Sequence, residues 1–484
     1  MSAITAPVYA LPVDMARILI GGVLFFYFLG ALRQSRDFSD PDGLIDHRLV
    51  VGLLPPTRLS LFQPGMPGWL FRVVFLGGCA ASLLVVVGYH PRAAAAFMFL
   101  AAVSNYRWNV LAAYLDDAMI HLFCLWLVLL PVGHTLTLPD LLAGGPEIRE
   151  WSLATVPGLA PRAFLANMVL VYVVAGFYKF TSPMWRDGSA MHAALRMPIA
   201  RAPDLWTLRC RTPLRWVTHA ALVVEPLFAL IFVLPAGSAV KWLLAAGAVI
   251  FHGGIALTLK IPYSNSAMLG VLPLAFAPEI MLGGLGLPPL REVSAAGLAP
   301  AGLVAVALVV LIAIMLLWDI VFTGTRLTER YSSRGWYNPV QALLWMAGVY
   351  QSYRLFDWVD ERNYHVRFEV RRVGEAEGMR GPRGRCIDSE ALFPQSMRHL
   401  LLQSYLVGNI WLQLGPAKLE AVHRSLLVRH ARRYARAHPE AGTIDVVAVV
   451  QRITADNLEL TRGERRSLMR FTCRRGDAVM HSPS

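Results

Sequence analysis

Long apolar stretches recur through the first two thirds of the chain, each near the roughly 20 residues a helix needs to cross about 30 Å of hydrocarbon. They fall at 11–31, 69–88, 92–107, 114–134, 162–181, 215–235, 239–259, 264–284 and 298–322. Short Gly- and Pro-rich connections separate several of them. The first stretch carries no basic leader and no small-residue cleavage pattern, so it is expected to remain as a membrane helix. A longer polar stretch follows it, with Asp37, Asp40, Asp42 and Asp46 ahead of the half-apolar Val50-Val-Gly-Leu-Leu-Pro-Pro56, and reads as a loop with a short interfacial piece.

From about residue 323 the pattern changes. Tyr364-His-Val-Arg-Phe-Glu-Val-Arg-Arg372 alternates as a half-exposed strand does, and Thr443-Ile-Asp-Val-Val-Ala-Val-Val-Gln-Arg452 is also strand-like. The apolar, aromatic 336–353 suggests an interfacial or tail-packing helix, 378–384 a turn-rich loop, and 417–437 a helix with a basic face; another helix opens near Phe393. The expected architecture is therefore an all-α polytopic membrane bundle of about nine transmembrane helices (1–322) with a C-terminal α+β extramembrane domain (323–484). No internal repeat is apparent.

Composition agrees. Of 484 residues 56% are hydrophobic and 16% charged, which a soluble globular chain of this length rarely reaches. The 45 lysines and arginines against 32 acidic residues give a net +13, as expected for contact with anionic headgroups. No basic stripe interleaved with stacking aromatics points to nucleic acid. The five cysteines, at 79, 124, 210, 386 and 473, show no zinc spacing, and no metal site is expected. Cys386 and Cys473 are candidates to pair in an oxidising compartment.

Ionisable residues inside apolar helices mark pathways or sites, because one at core depth costs about 2.5–3.5 kcal/mol on insertion scales. Lys179 stands near the end of 162–181. It is either an anchor whose head reaches the interface or, if it stays buried, an amine whose charged form is disfavoured by desolvation, a general base. Glu225 and His252 lie deep in their stretches. Asp116 and Asp117 open the fourth, with His121 one turn on, and Asp319 closes the ninth. Asp116 and Asp117 also suit helix caps, His121 and His219 suit interhelical hydrogen bonding, and Lys179 with Glu225 suits a buried ion pair locking two helices. Gathered together, Lys179, Glu225 and His252 would form an acid–base cluster.

The segment Tyr172-Val-Val-Ala-Gly-Phe-Tyr-Lys179, followed by Trp185-Arg-Asp-Gly188, resembles the corresponding part of the vitamin K-dependent gamma-glutamyl carboxylase family and its bacterial relatives with a horizontally transferred transmembrane domain. The resemblance extends over Arg17–Gly22, Phe38–Leu44, Glu225, Phe251-His252, Met268, Phe276-Ala-Pro-Glu279, 350–366, Phe393-Pro-Gln-Ser-Met-Arg398 and Ile444-Asp-Val446, in consistent order. It implies that Lys179 is the base toward a reduced naphthoquinone, reduced vitamin K or menaquinone, whose oxygenation to the epoxide by O2 drives capture of CO2 by a peptide glutamate.

On the same resemblance His252 serves an oxyanion or a proton shuttle, and Glu225 tunes its neighbours. Tyr172, Trp185, His121, Asp116 and Asp117 are the candidate cofactor-binding residues. The family's histidine near the fourth span is replaced by Asp116 and Asp117, and one near the membrane–domain junction by the region of Asp360, with His365 close by. Quinol oxidation is thus better supported than carboxylation. The alternatives are an accessory protein for maturation or export of a secreted peptide, or a lipid or solute transporter. The expected location is a bacterial-type inner membrane. The arginine-rich loops would place the tail in the cytoplasm, whereas the resemblance places it in the periplasm.

Overall fold

The computed structural model describes residues 5–52, 59–144, 151–287 (without 152, 198, 203, 204 and 207), 299–324, 339–349, 353, 362–371, 386–388, 396–402, 420–437, 443–452, 465–474 and 477–481. The turn-rich 378–384, the region of Asp360, Phe393, and 336–338 and 350–352 of the 336–353 segment lie outside them; within that segment Pro339–Met346 is helical.

The membrane part is helical. Strand β1 (Val8–Tyr9) leads into α1 (Ala10–Phe38), followed by α2 (His47–Val51), α3 (Gly68–Val87), α4 (Pro91–Trp108) and α5 (Leu115–Leu129). After β2 (Thr155–Val156) come α6 (Leu159–Thr181), α7 (Pro183–Asp187), α8 (Ala190–Arg196), α9 (Arg211–Leu227), α10 (Ala239–Thr258), α11 (Pro262–Leu269) and α12 (Pro300–Gly324). Among the described residues six helices are long and apolar enough to cross a membrane: α1, α3, α6, α9 with its 3₁₀ continuation to Phe232, α10, and α12 to Val321. The chain is thus a multi-pass membrane protein.

The other three expected stretches are also helical but shorter or broken. α4 has 18 residues with Arg92 and Arg107 near its ends, α5 has 15, and 264–284 divides into α11, Leu272–Ala275 and a π-helical turn at Glu279–Gly284. Pro273 and Pro278 explain the interruption, because each removes an amide donor from the helical ladder.

Polar locks tie the helix ends together. Asp14 and Arg17, both wholly buried, form an ion pair at 2.7 Å. The Asp14 carboxylate also accepts from the amides of Gly133, His134 and Thr135 at 2.7–3.0 Å, and Arg17 donates to the carbonyls of Val85, Val86, Thr135 and Leu136. This holds the start of α1, the end of α3 and the loop after α5 at one end of the bundle. A buried charge pair is tolerable only with its remaining hydrogen-bonding capacity filled, as here. At the other end of α1, Arg72 of α3 pairs with Asp40 at 3.5 Å, and Trp108 of α4 donates from Nε1 to Ser39 O at 3.2 Å.

Among the described residues of the C-terminal part five antiparallel strands form one sheet in the order β4-β3-β5-β6-β7. They are β3 (Arg362–Arg371), β4 (Cys386–Asp388), β5 (Thr443–Arg452), β6 (Arg465–Arg474) and β7 (Asp477–His481), with α13 (Glu420–Ala437) preceding β5. The strands expected at 364–372 and 443–452 are partners, Phe368 standing opposite Val446. Cys386 on β4 and Cys473 on β6 are separated by two intervening strands, roughly 14 Å at the usual spacing. That exceeds the reach of a disulfide. This part meets the bundle at the end of α1, where His399 bonds Asp37 at 3.1 Å and Arg433 pairs with the same carboxylate.

Candidate active site

Lys179 sits in the last turn of α6 and Glu225 in α9, just before Pro226. Both are buried, at 2% and 3% exposure, and they form an ion pair. The sequence around them explains why they meet. A Cβ on Gly176 would stand 2.6 Å from Pro226 Cβ, so only glycine lets α6 and α9 approach this closely. Gly188 takes a left-handed backbone, φ 85°, and a Cβ there would lie 2.4 Å from Arg215 and 2.8 Å from His219. The turn at Gly188 ends α7, which carries Trp185 back over the lysine. The Ala-Gly-x-x-Lys and Trp-x-x-Gly spacings thus have a local steric cause.

The Lys179 Nζ lies 5.0 Å from the ring centre of Trp185 and 5.8 Å from that of Phe251. These faces are favourable for a cation. Of the readings open in the sequence, the structure has Lys179 buried rather than reaching the interface, with a carboxylate and two aromatic faces beside its ammonium.

Next to the pair runs a second polar chain. Asn265 donates from Nδ2 to Ile261 O at 3.0 Å, which turns its Oδ1 toward His252 Nδ1 at 2.9 Å. For a neutral imidazole Nδ1 is then the donor and Nε2 the acceptor, and the Tyr172 hydroxyl donates to Nε2 at 2.7 Å. Asn265 is a site residue that the sequence reading missed. The signal available was the polar run Ser264-Asn-Ser266 inside an apolar stretch.

Both polar groups line one cavity of about 410 Å³. Apart from Thr258 and Ser264 the rest of its described walls is mainly apolar, with Met119, Val171, Phe228, Phe251 and Met268 among them. Val217 and Ile250 also line it while being 47% and 75% exposed, so the cavity reaches the outer apolar surface between α9 and α10. Of the residues singled out in the sequence, Lys179, Glu225, His252, Tyr172 and Trp185 converge here.

His121, Asp116 and Asp117 do not line the cavity. His121 is buried, 5.6 Å from the Tyr106 ring. Asp116 caps α11, accepting from the amides of Tyr263 at 3.2 Å and Ser264 at 2.8 Å and from Ser264 Oγ at 2.5 Å. Asp117 accepts from Tyr27 OH at 2.7 Å and Tyr114 N at 3.2 Å and pairs with Arg398. Consecutive helical residues point about 100° apart, so adjacent carboxylates serve different partners. Asp116 still bears on the cavity, because the helix it caps presents Asn265.

The fold and site define a polytopic membrane protein with an intramembrane apolar cavity that carries an acid–base pair and an oriented histidine. No known protein family, curated protein or solved structure matches the chain.

Proposed function

We propose that the chain is an integral membrane enzyme that removes a proton from a lipid-soluble phenol, with a reduced naphthoquinone such as reduced vitamin K or menaquinone as cosubstrate. The observation that carries this reading is the placement of Lys179–Glu225 and Tyr172–His252 on the wall of one apolar cavity open to the lipid-facing surface. The cavity falls within the usual size range of small-molecule sites, roughly 300–1,000 Å³. Flat aromatic walls suit a bicyclic ring, the two polar chains suit its hydroxyl groups, and the opening between α9 and α10 suits an isoprenoid tail.

When bound, the quinol supplies the electrons with which O2 is consumed and a strong base is generated. Lys179 Nζ is the proton acceptor once its own proton shifts to Glu225 Oε2; uptake of the substrate's proton then leaves an ammonium facing the oxygen that gave it up. The site's net charge does not change during this exchange, which matters where water is excluded. His252, held with Nδ1–H toward Asn265, directs the Tyr172 hydroxyl and passes a proton through Nε2.

Carboxylation of a peptide glutamate by CO2, or another modification of it, is the coupled reaction that the sequence resemblance adds. A membrane accessory protein for peptide maturation or export, or a transporter, is the second reading; there the Lys179–Glu225 pair would only lock two helices. Nine passages of a bacterial-type inner membrane, with 323–484 outside it, complete the proposal. Three contacts support the count: α4 begins beside Gly133 at the Asp14 end, it finishes beside Ser39, and the start of α12 touches Leu159 at Gly302. The test is purified protein in lipid, given reduced menaquinone and O2, with epoxide as readout. Equal product from wild type and Lys179→Ala would exclude the base assignment.

A further inference from the structure

A second cavity, of about 690 Å³, lies away from the first, between the end of α1 with its following loop and the helix α13. Its lining is dominated by arginine. Arg36 comes from the last turn of α1, and Arg424, Arg429, Arg432, Arg433 and Arg436 come from α13. Among the described residues Asp37, Asp42 and Asp46 are the acids in the same lining, so there guanidinium groups exceed carboxylates by three.

Helical spacing divides these arginines by role. Ser425, Arg429 and Arg433 fall on one ridge, four residues apart, and face the loop. Arg429 pairs with Asp46 at 3.2 Å and donates to the carbonyl of Gly43 at 3.0 Å, Arg433 pairs with Asp37, and Ser425 donates to Asp46 at 3.3 Å. This ridge closes the cleft. Arg424, Arg432 and Arg436 occupy the adjacent ridge and line the same cleft as Arg36. The side chains of Arg36, Arg424 and Arg436 make no ion pair or hydrogen bond among the described residues. Loop carboxylates therefore satisfy Arg429 and Arg433, while Arg36, Arg424 and Arg436 line the same cleft without such a partner among the described residues.

The depth of the cleft narrows what that is. α1 has 29 residues, about 43 Å at 1.5 Å per residue, against roughly 30 Å of hydrocarbon. Its apolar run gives way to polar residues at Arg33, so Arg36 stands at headgroup level. Planar guanidinium forks lining one cleft from two helices, Arg36 on α1 and the α13 arginines, suit a tetrahedral oxyanion, which accepts more than one fork. Leu49, 37% exposed, adds an apolar edge to the same lining.

We propose that this cleft binds a phosphate group at headgroup depth, that of an anionic membrane lipid. The inference is independent of the reaction assigned to the intramembrane cavity. The test is native mass spectrometry of the full chain in detergent, titrated separately with phosphatidylglycerol, phosphatidylcholine, inorganic phosphate and an oligoglutamate peptide. Phosphatidylglycerol should bind at least tenfold more tightly than phosphatidylcholine. The double substitution Arg424→Gln/Arg436→Gln should weaken it at least tenfold with an unchanged melting temperature, since both side chains are exposed. Arg209→Gln, in the 3₁₀ turn Leu208–Cys210 and not among the residues lining the cleft, should not. Inorganic phosphate binding as tightly as the lipid, and lost in the same double variant, would keep the phosphate chemistry but assign it to a free ligand. Equal lipid binding by wild type and double variant would overturn the proposal, as would binding of oligoglutamate by a protein that takes up neither phosphate probe.

Discussion

Arg398 and Asp117, 281 residues apart in sequence, form a buried ion pair at the start of α5. The guanidinium stands 5.6 Å from the centre of the Tyr114 ring, and the carboxylate is wholly buried. Arg398→Met would leave that carboxylate with only Tyr27 and a backbone amide. Removing one partner of a buried pair typically costs about 3–5 kcal/mol. A clear fall in melting temperature is expected, with partial recovery in Arg398→Met/Asp117→Asn. An unchanged melting curve for the single variant would show that the pair does not join the C-terminal part to the bundle.

The Lys179–Glu225 pair allows a double-mutant cycle. Lys179→Met and Glu225→Leu should each destabilise the protein by about 3–5 kcal/mol, because each strands a charge in an apolar wall. Together they should cost much less than their sum. Additive losses, read from thermal unfolding in detergent, would show that the two side chains do not interact.

Gly176 is the close-contact point between α6 and α9. Even Gly176→Ala places a methyl 2.6 Å from Pro226 Cβ, and overpacking of this kind costs about 1–3 kcal/mol. The variant should melt lower and bind apolar aromatic probes in the cavity less tightly. Gly22, where a Cβ meets nothing within 4 Å, is the matched control: Gly22→Ala should be neutral or slightly stabilising.

Acid should weaken the loop region before its carboxylates titrate. His47 stacks on Trp108 with ring centres 4.0 Å apart and donates from Nε2 to Phe38 O at 2.7 Å. Burial pushes its pKa down from 6.5 to about 4, and burial does the same to His430, also to about 4. Between those values the unfolded chain binds a proton that the folded chain does not. The stabilisation is therefore complete above pH 6.5 and is lost as the pH falls toward 4, by roughly 3 kcal/mol per site. Melting temperature measured at pH 7.5 and pH 5.0 should drop, and the drop should be smaller in His47→Gln. An equal drop in the variant would exclude His47 as a source.

Much of this architecture is legible in the sequence because membrane helices announce themselves by length and apolarity alone. Strand alternation also locates β3 and β5. Lys179, Glu225 and His252 stand out for a related reason: an ionisable group in an apolar helix needs a partner or a purpose. What the linear pattern does not carry is which groups meet. Asp14 and Arg17 lie near the polar start of α1 and look like interfacial residues, yet a loop more than 100 residues away wraps them completely. Asp116 and Asp117 look alike in sequence and differ only in the direction their helix gives them. The arginines of α13 read as a solvated basic face, and only the loop after α1 turns that face into one wall of a cleft.

The two-residue pairing of β1 with β2, Val8 opposite Val156, fixes more than the chain near its beginning. Because α1 and α6 both spring from this small ribbon, they point the same way, and the polypeptide between them must traverse the bilayer an odd number of times. Arg36 and Lys179 therefore finish toward the same leaflet. A lipid held in the arginine cleft would therefore belong to the leaflet toward which the Lys179 end of α6 points.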